Sequence, residues 1–170
     1  MKEELKKYLK ENLVVEKKRM SFAKMLFKED ECEEYDRCDK CSSANTNNIN
    51  EYINQNKDLN DFQTTLFKLI DTKNLKDSDV YNKVNMDRRL FSKIRSDNTY
   101  HPSKETVILL GIALELNEND FEDLLASASY YLPKNNYFDL IIRFCIINKI
   151  FKVTEINELL MEYKCKLLNC

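Results

Sequence analysis

The sequence predicts an all-α protein. The chain of 170 residues contains one glycine, two prolines and no tryptophan, and this composition argues against a β-rich or loop-rich architecture. Apolar residues also repeat at the three- and four-residue spacing of amphipathic helices through most of residues 62–125. We predict an N-terminal helical segment with an acidic, cysteine-containing loop and linker (residues 1–50), a helical domain (residues 51–128) and a C-terminal helical extension (residues 129–170).

The N-terminal segment has a helical pattern in two pieces between residues 2 and 28. Leu5, Leu9 and Leu13 give the first piece an apolar side, and Phe22 and Met25 do the same for the second. Residues 1–28 carry a net charge of about +5. Two interpretations stay open: the segment packs on the main domain with its charges in solvent, or its positive side contacts DNA phosphates or an acidic partner. We expect no signal peptide, because no apolar stretch follows the first charges.

Three cysteines lie close together in the acidic stretch that follows. Cys32, Cys38 and Cys41 could supply three thiolates to zinc, with a fourth ligand from Cys165, Cys170 or His101. The second ligand pair of a typical zinc site is missing, so we predict no metal site and no cofactor. We expect these residues to be free thiols in a reducing compartment.

The first helix of the main domain is predicted from Phe62 to about Asn74. Its apolar stripe includes Phe62, Leu66 and Ile70, and Asp61 or Asn60 can cap its start.

Two short helices joined by a tight turn are predicted between residues 79 and 95, in DVYNKVNMDRRLFSKIR. Val80, Tyr81 and Val84 form the apolar edge of the first helix, which Asp77 or Ser78 can cap. Asn85 follows, and asparagine tolerates the left-handed conformation that such a turn requires. Met86 is then expected to point into the core.

The second of these helices separates its apolar and basic residues. Asp87 can cap it, and Leu90, Phe91 and Ile94 form its inward stripe. The polar residues remain on the outer face: Arg88, Arg89, Ser92, Lys93 and Arg95. Donors arranged in this way are typical of a helix-turn-helix that contacts a DNA major groove. A solvated helix face is the alternative for such a charge pattern.

The remaining helices complete a core and an extension. Ser103 is predicted to cap a helix whose run from Val107 to Leu116 is apolar nearly all round, as in a central helix. Gly111 lies inside this run, and we expect a neighbouring helix to approach it closely. Asn117 or Asn119 can cap the next helix, whose inner face is Phe121, Leu124 and Leu125. Phe138–Phe151 is predicted to be a buried helix, since it is too short and too charged to span a membrane.

Residues 60–128 resemble the helix-turn-helix domain of the XRE family, the phage-repressor and Cro type. The matching positions are aliphatic, core or helix-opening positions of that family: Val80, Met86, Phe91, Ile94, Pro102, Ser103 and the run from Ala113 to Leu116. The resemblance implies a five-helix repressor-like core and a bacterial or phage origin. Asn85 departs from the usual glycine. Tyr81 departs from the usual alanine, which implies a wider helix crossing or a tyrosine edge at the surface.

A longer resemblance covers residues 60–163. The runs FQTTLFKLID, VYNKVNMDRRLFSKIRSDNTYHPSKETVILLGIALEL, YYLPKNNYFDLIIRFCI and EINELL are similar to a recurring bacterial module. That module is found behind other domains, such as macro domains, in Firmicute proteins. It implies an XRE-like core with a helical C-terminal extension, and a regulatory role.

These observations favour a cytoplasmic, non-enzymatic, sequence-specific DNA-binding transcriptional regulator. Its major-groove residues would be Arg88, Arg89, Ser92 and Lys93, and its phosphate contacts Arg95, Asn98, Tyr100 and Lys104. Double-stranded DNA would be its partner, and a homodimer would read a palindrome. The dimer contact would come from the fifth helix of the core or from residues of the extension: Phe138, Ile141, Ile142, Ile156, Leu159 and Leu160.

The alternative function is a protein-interaction or regulatory adaptor that uses the same fold without reading DNA. The net charge of −2 favours this alternative, since DNA-binding domains are usually basic. The single histidine, His101, and the lack of a glycine-rich phosphate loop give no support to an enzyme. No apolar run is long enough for a membrane span.

Overall fold

A computed structural model describes residues 1–13, 61–97 and 99–169 of the chain. Within those ranges the protein contains eight helices and no strand, so the all-α prediction is confirmed. The helices are α1 (Lys2–Asn12), α2 (Phe62–Thr72), α3 (Asp77–Lys83), α4 (Arg88–Ser96), α5 (Lys104–Ala113), α6 (Glu118–Ser127), α7 (Tyr137–Ile147) and α8 (Val153–Glu162). None of these helices is long and apolar enough to cross a lipid bilayer.

Several predictions concern residues outside the described ranges. They are the second piece of the N-terminal helix, the linker, the capping residue Asn60, the phosphate contact Asn98, and the cysteines Cys32, Cys38, Cys41 and Cys170.

Helix α5 lies at the centre of the core. Every residue from Thr106 to Ala113 is buried, and α5 packs against both α3 and α6. A Cβ atom added to Gly111 would lie only 2.4 Å from Cε2 of Phe121 on α6. The expected close approach of a neighbouring helix at Gly111 is therefore confirmed.

Helix α1 belongs to the same core as the C-terminal helices. It packs on α7, which also contacts α6 and α8. Leu5 and Leu9 are buried, and the ring of Tyr8 lies 5.4 Å from that of Phe144. This first piece is therefore a packed amphipathic helix, as one interpretation expected, but its main helix contact is with the C-terminal extension and not with residues 51–128.

Most of the helices end in the same kind of turn. Six described residues other than glycine have a positive φ at these ends: Asn74, Asn85, Glu115, Ser129, Lys149 and Lys164. In each case the following amide donates to the carbonyl five residues earlier, as Met86 N does to Tyr81 O at 2.8 Å. This is the bond that closes a Schellman motif, which usually has glycine at the left-handed position.

The N-caps predicted for α5 and α6 form side-chain capping bonds, whereas those predicted for α2 and α3 do not. Ser103 and Asn117 accept bonds from the amides of Thr106 and Asp120, as expected. Asp61 precedes α2 but makes no capping bond through its side chain. Helix α3 already begins at Asp77, after Lys76, so the prediction that Asp77 or Ser78 caps it is wrong.

The residues expected to form a dimer contact lie mostly inside the chain. Phe138 is partly buried, while the other five pack in the core: Ile141, Ile142, Ile156, Leu159 and Leu160. They are buried because α7 packs against α1, α6 and α8. These five side chains therefore offer no surface to a second copy of the folded chain.

Candidate nucleic-acid interface

The turn between α3 and α4 is closed by backbone and core contacts. Asn85 adopts the left-handed conformation with φ 53°, as its residue type predicted. Met86 follows it and is buried, together with Val80 of α3 and Val84, the residue after α3. The chain therefore reverses within a few residues while its apolar side chains stay in the core.

The N-terminus of α4 is fixed by Asp87. Its carboxylate accepts a hydrogen bond of 2.7 Å from the backbone N–H of Arg89, which satisfies one of the free amides of the first turn. Phe91 and Ile94 are buried and Leu90 is partly buried, so the predicted inward stripe is present. The five polar residues expected on the outer face are all exposed: Arg88, Arg89, Ser92, Lys93 and Arg95.

Aromatic rings support the buried side of α4. The ring of Phe91 lies 5.7 Å from that of Tyr81 and 6.3 Å from that of Phe67. Tyr81 is partly buried, so its ring fills the space between α3 and α4 that a smaller residue would leave open. The tyrosine at this position is thus accommodated by an aromatic contact.

The C-terminus of α4 is held by a side chain from α2. The amide of Gln63 donates to the carbonyl of Ile94 and, at 2.8 Å, to the carbonyl of Asp97. The Ile94 carbonyl has no partner inside the helix, so Gln63 satisfies a group that would otherwise need water, while the Asp97 carbonyl also accepts a bond from the backbone N–H of Tyr100 at 3.0 Å. Asp97 in turn accepts bonds from the hydroxyl and the amide of Thr99, which lower the pKa of its carboxyl group.

Three of the predicted DNA-contacting cations have partners within the chain. Arg95 lies 2.9 Å from Asp77 and above the ring of Phe67. The ammonium group of Lys93 lies 4.3 Å from the centroid of Tyr100, which is itself a predicted phosphate contact. Lys104 forms an ion pair with Asp139 of α7. The three cations therefore differ in how far a partner within the protein limits their contact with a ligand.

The pair between Lys104 and Asp139 is the most buried ion pair of the described residues. The two groups are 2.5 Å apart, and the side chain of Asp139 is only 4 % exposed. Asp139 also accepts a bond from the side chain of Asn136 at 2.6 Å. Lys104 therefore joins the start of α5 to α7, and this role competes with the phosphate contact predicted for it.

Arg88 and Arg89 form no such contact with the residues that the structure describes. Both are exposed, and neither forms an ion pair with any carboxylate in the described part of the chain. With Ser92, they form the exposed part of the predicted groove-contacting set that has no side-chain partner in residues 1–13, 61–97 and 99–169.

Two features of this surface were not predicted from the sequence. Ser96 is exposed seven residues after Arg89, and that spacing alone places it on the same helix face. Gln63 gave no signal, because its role depends on a contact with carbonyls 31 and 34 residues away.

His101 and the cysteines do not form a second site in the described residues. His101 packs edge-on against Tyr130, whose hydroxyl donates to the carbonyl of Pro102 at 3.0 Å. Burial raises the pKa of the Cys145 thiol to about 12 and also raises that of Cys165. No group of three metal-binding side chains occurs in the ranges that the structure covers.

Comparisons of this chain with protein-family models, with curated proteins and with solved structures give no match.

Proposed function

We propose that this protein is a cytoplasmic, non-enzymatic regulator that binds double-stranded DNA in a sequence-specific manner. In this proposal α3 and α4 form a repressor-like helix-turn-helix, and α4 enters the major groove. The observation that carries the proposal is the separation on α4 of a buried apolar side from an exposed side with Arg88, Arg89, Ser92 and Lys93. Such a helix presents several donors to base edges and phosphates at once.

The contacts that hold α4 in place support this proposal. Asp87 fixes its first turn, Gln63 holds its last carbonyls, and Phe91 and Ile94 anchor its inner side. A recognition helix must be held in one orientation, because hydrogen bonds to base edges require defined geometry. The contacts at the first turn, at the last turn and along the inner side of α4 meet this requirement.

The pairing of other cations favours a second candidate function. Asp77 neutralises Arg95 and Asp139 neutralises Lys104, which weakens two of the four predicted phosphate contacts. Phosphate contacts supply much of the affinity of DNA-binding proteins. An adaptor that binds a protein partner through the same exposed face needs fewer of them, so this remains the alternative function.

DNA binding is the experiment that separates the two functions. Binding of the whole chain to the DNA upstream of its own gene should be measured at about 50 mM and about 200 mM salt. A variant with Arg88→Ala and Arg89→Ala should bind more weakly, and its salt dependence should fall by about two counterions because two phosphate-facing or base-facing charges are lost.

The matched control removes two cations elsewhere. Lys149→Ala with Lys164→Ala changes the net charge equally at the ends of α7 and α8, where both residues are exposed. This control should bind DNA as the wild type does. No binding by the wild type at low salt, or equal loss in both variants, would contradict the proposal. Partner capture that survives the arginine substitutions would then favour the adaptor.

A further inference from the structure

The outermost point of α4 can be located from helix geometry. Phe91 and Ile94 mark the buried side, and at about 100° per residue Arg89 and Ser96 point about 170° away from its centre. By the same rule Arg88 points about 90° away, toward the flank of the helix. Arg89 is therefore the cation of α4 that projects most directly outward.

The side chain of Arg89 extends beyond its neighbours on the outer face of α4. Ser92 and Ser96 follow it by three and seven residues on the same face, and both are exposed. Their short side chains cannot reach as far as an arginine. Lys93 shares part of this face, but its ammonium group lies over the ring of Tyr100.

The position of Arg89 along the helix also matters. It is the second residue of α4, and its backbone amide is bound by the capping carboxylate of Asp87. The first turn of a recognition helix is the part that meets base edges in helix-turn-helix complexes. Arg95 lies in the last turn and is paired with Asp77.

From this geometry we infer that Arg89 is the specificity-determining residue of the interface and that it reads a guanine. This inference rests on the proposed DNA binding. A guanidinium group offers two parallel N–H donors, which match the O6 and N7 acceptors of guanine in the major groove. Arg88, at the flank of the helix, contacts a phosphate and contributes affinity without sequence preference.

A selection experiment tests this assignment. The whole chain and the single variants Arg89→Ala, Arg89→Lys and Arg88→Ala should each select from a pool of random DNA duplexes. The wild type should select a guanine at one fixed position, with about 5- to 150-fold discrimination against other bases there. Arg89→Ala should lose this preference.

The two other variants distinguish base reading from charge alone. Arg89→Lys keeps the charge but lacks the paired donors, so it should retain most of the total affinity while its guanine discrimination falls. Arg88→Ala should weaken binding to all sequences alike, and its salt dependence should fall by about one counterion. Circular dichroism should show an unchanged fold in all three, since both arginines are exposed.

Failure of this inference differs from failure of the proposed function. If the wild type selects a sequence and the guanine preference persists in Arg89→Ala, or disappears in Arg88→Ala instead, the assignment of Arg89 is wrong while DNA binding stands. If the wild type selects nothing at low salt, both proposals are overturned.

Discussion

Gly111 shows how a single residue sets the spacing of the central helices. Glycine in a helix interior costs about 1 kcal/mol relative to alanine, and here it leaves room for the ring of Phe121. The position of a Cβ atom would be far inside the normal contact distance of that ring. The packing gained by α5 and α6 therefore offsets the weak helix propensity of this residue.

Replacing Gly111 by alanine should destabilise the protein in spite of alanine's higher helix propensity. We expect a loss of about 1–2 kcal/mol in the free energy of unfolding, since overpacking of a core typically costs about 1–3 kcal/mol. Urea unfolding measures the change. Phe121→Leu has its own cost as a core truncation, but in its background Gly111→Ala should cost less than in the wild type. A Gly111→Ala protein more stable than the wild type would contradict this account.

At the scale of the helices, the turns that end them share one weakness. Residues such as Glu115, Ser129 and Lys149 adopt left-handed conformations that suit glycine better. A residue with a Cβ atom in this conformation costs about 1–2 kcal/mol. The chain contains one glycine, and that glycine lies in the middle of α5.

Lys149→Gly should therefore stabilise the protein. The relief of backbone strain at φ 56° exceeds the added entropy of the unfolded chain, so we expect a gain of about 0.5–1 kcal/mol in the free energy of unfolding. Lys7→Gly in the interior of α1 is the matched control and should lose about 1 kcal/mol. Thermal or urea unfolding of both variants checks the opposite signs, and a loss at Lys149 would refute the argument.

The ion pair between Lys104 of α5 and Asp139 of α7 leads to a second prediction at the scale of the helices. Asp139 is almost fully buried and Lys104 is 26 % exposed. A double-mutant cycle with alanine at both positions should give a coupling energy of about 1–3 kcal/mol. This is less than for a fully buried pair, because solvent reaches Lys104. The exposed pair of Lys152 and Glu155 is the control and should give less than about 1 kcal/mol. Equal coupling in the two pairs would contradict the structure.

Local features of these helices could be predicted from the sequence, whereas contacts between distant segments could not. The caps Asp87, Ser103 and Asn117 and the turn at Asn85 depend on neighbours within a few residues, which the sequence displays directly. The partner of Lys104 lies 35 residues away and depends on how α5 and α7 pack.

The capping errors have a related physical cause. Both Asp77 and Ser78 suit a cap by residue type, but Asp77 is the first helical residue and its carboxylate pairs with Arg95 of α4. A contact between two helices thus uses the side chain that local propensity assigned to the helix start. The exposed face of α4 was predicted in full apart from Ser96, because its apolar stripe alone determines which residues face outward.

The described residues share one hydrophobic core in which α1 takes part. Leu5 and Leu9 are buried among residues that lie more than a hundred positions later in the sequence. A helix that merely lay on the surface would unfold separately, whereas a shared core should unfold in one cooperative transition.

Leu9→Ala should lower the stability of the entire body. We expect a loss of about 2–4 kcal/mol in the free energy of unfolding, because the substitution leaves a cavity beside α7. Fluorescence and circular dichroism should report the same transition in urea. The neighbouring exposed variant Lys10→Ala should change stability by less than about 0.5 kcal/mol, and a Leu9→Ala protein as stable as this control would exclude α1 from the core.

The Cys145 thiol should report unfolding of the same body. It is fully buried, and burial raises its pKa to about 12, so it is protonated and inaccessible in the folded state. A thiol reagent followed by site-resolved mass spectrometry should label Cys145 only as fast as the body unfolds. Labelling should accelerate in Leu9→Ala, and rapid labelling of the folded wild type would contradict the burial of this residue.

The separation of core residues from surface residues on α4 has a consequence for the evolution of this protein. Phe91 and Ile94 hold the helix in place, while Arg89, Ser92 and Ser96 contribute nothing to the core. Surface substitutions of this kind usually leave stability nearly unchanged. Under the proposed function, a lineage could therefore exchange these three residues and acquire a new target while every member keeps the same fold.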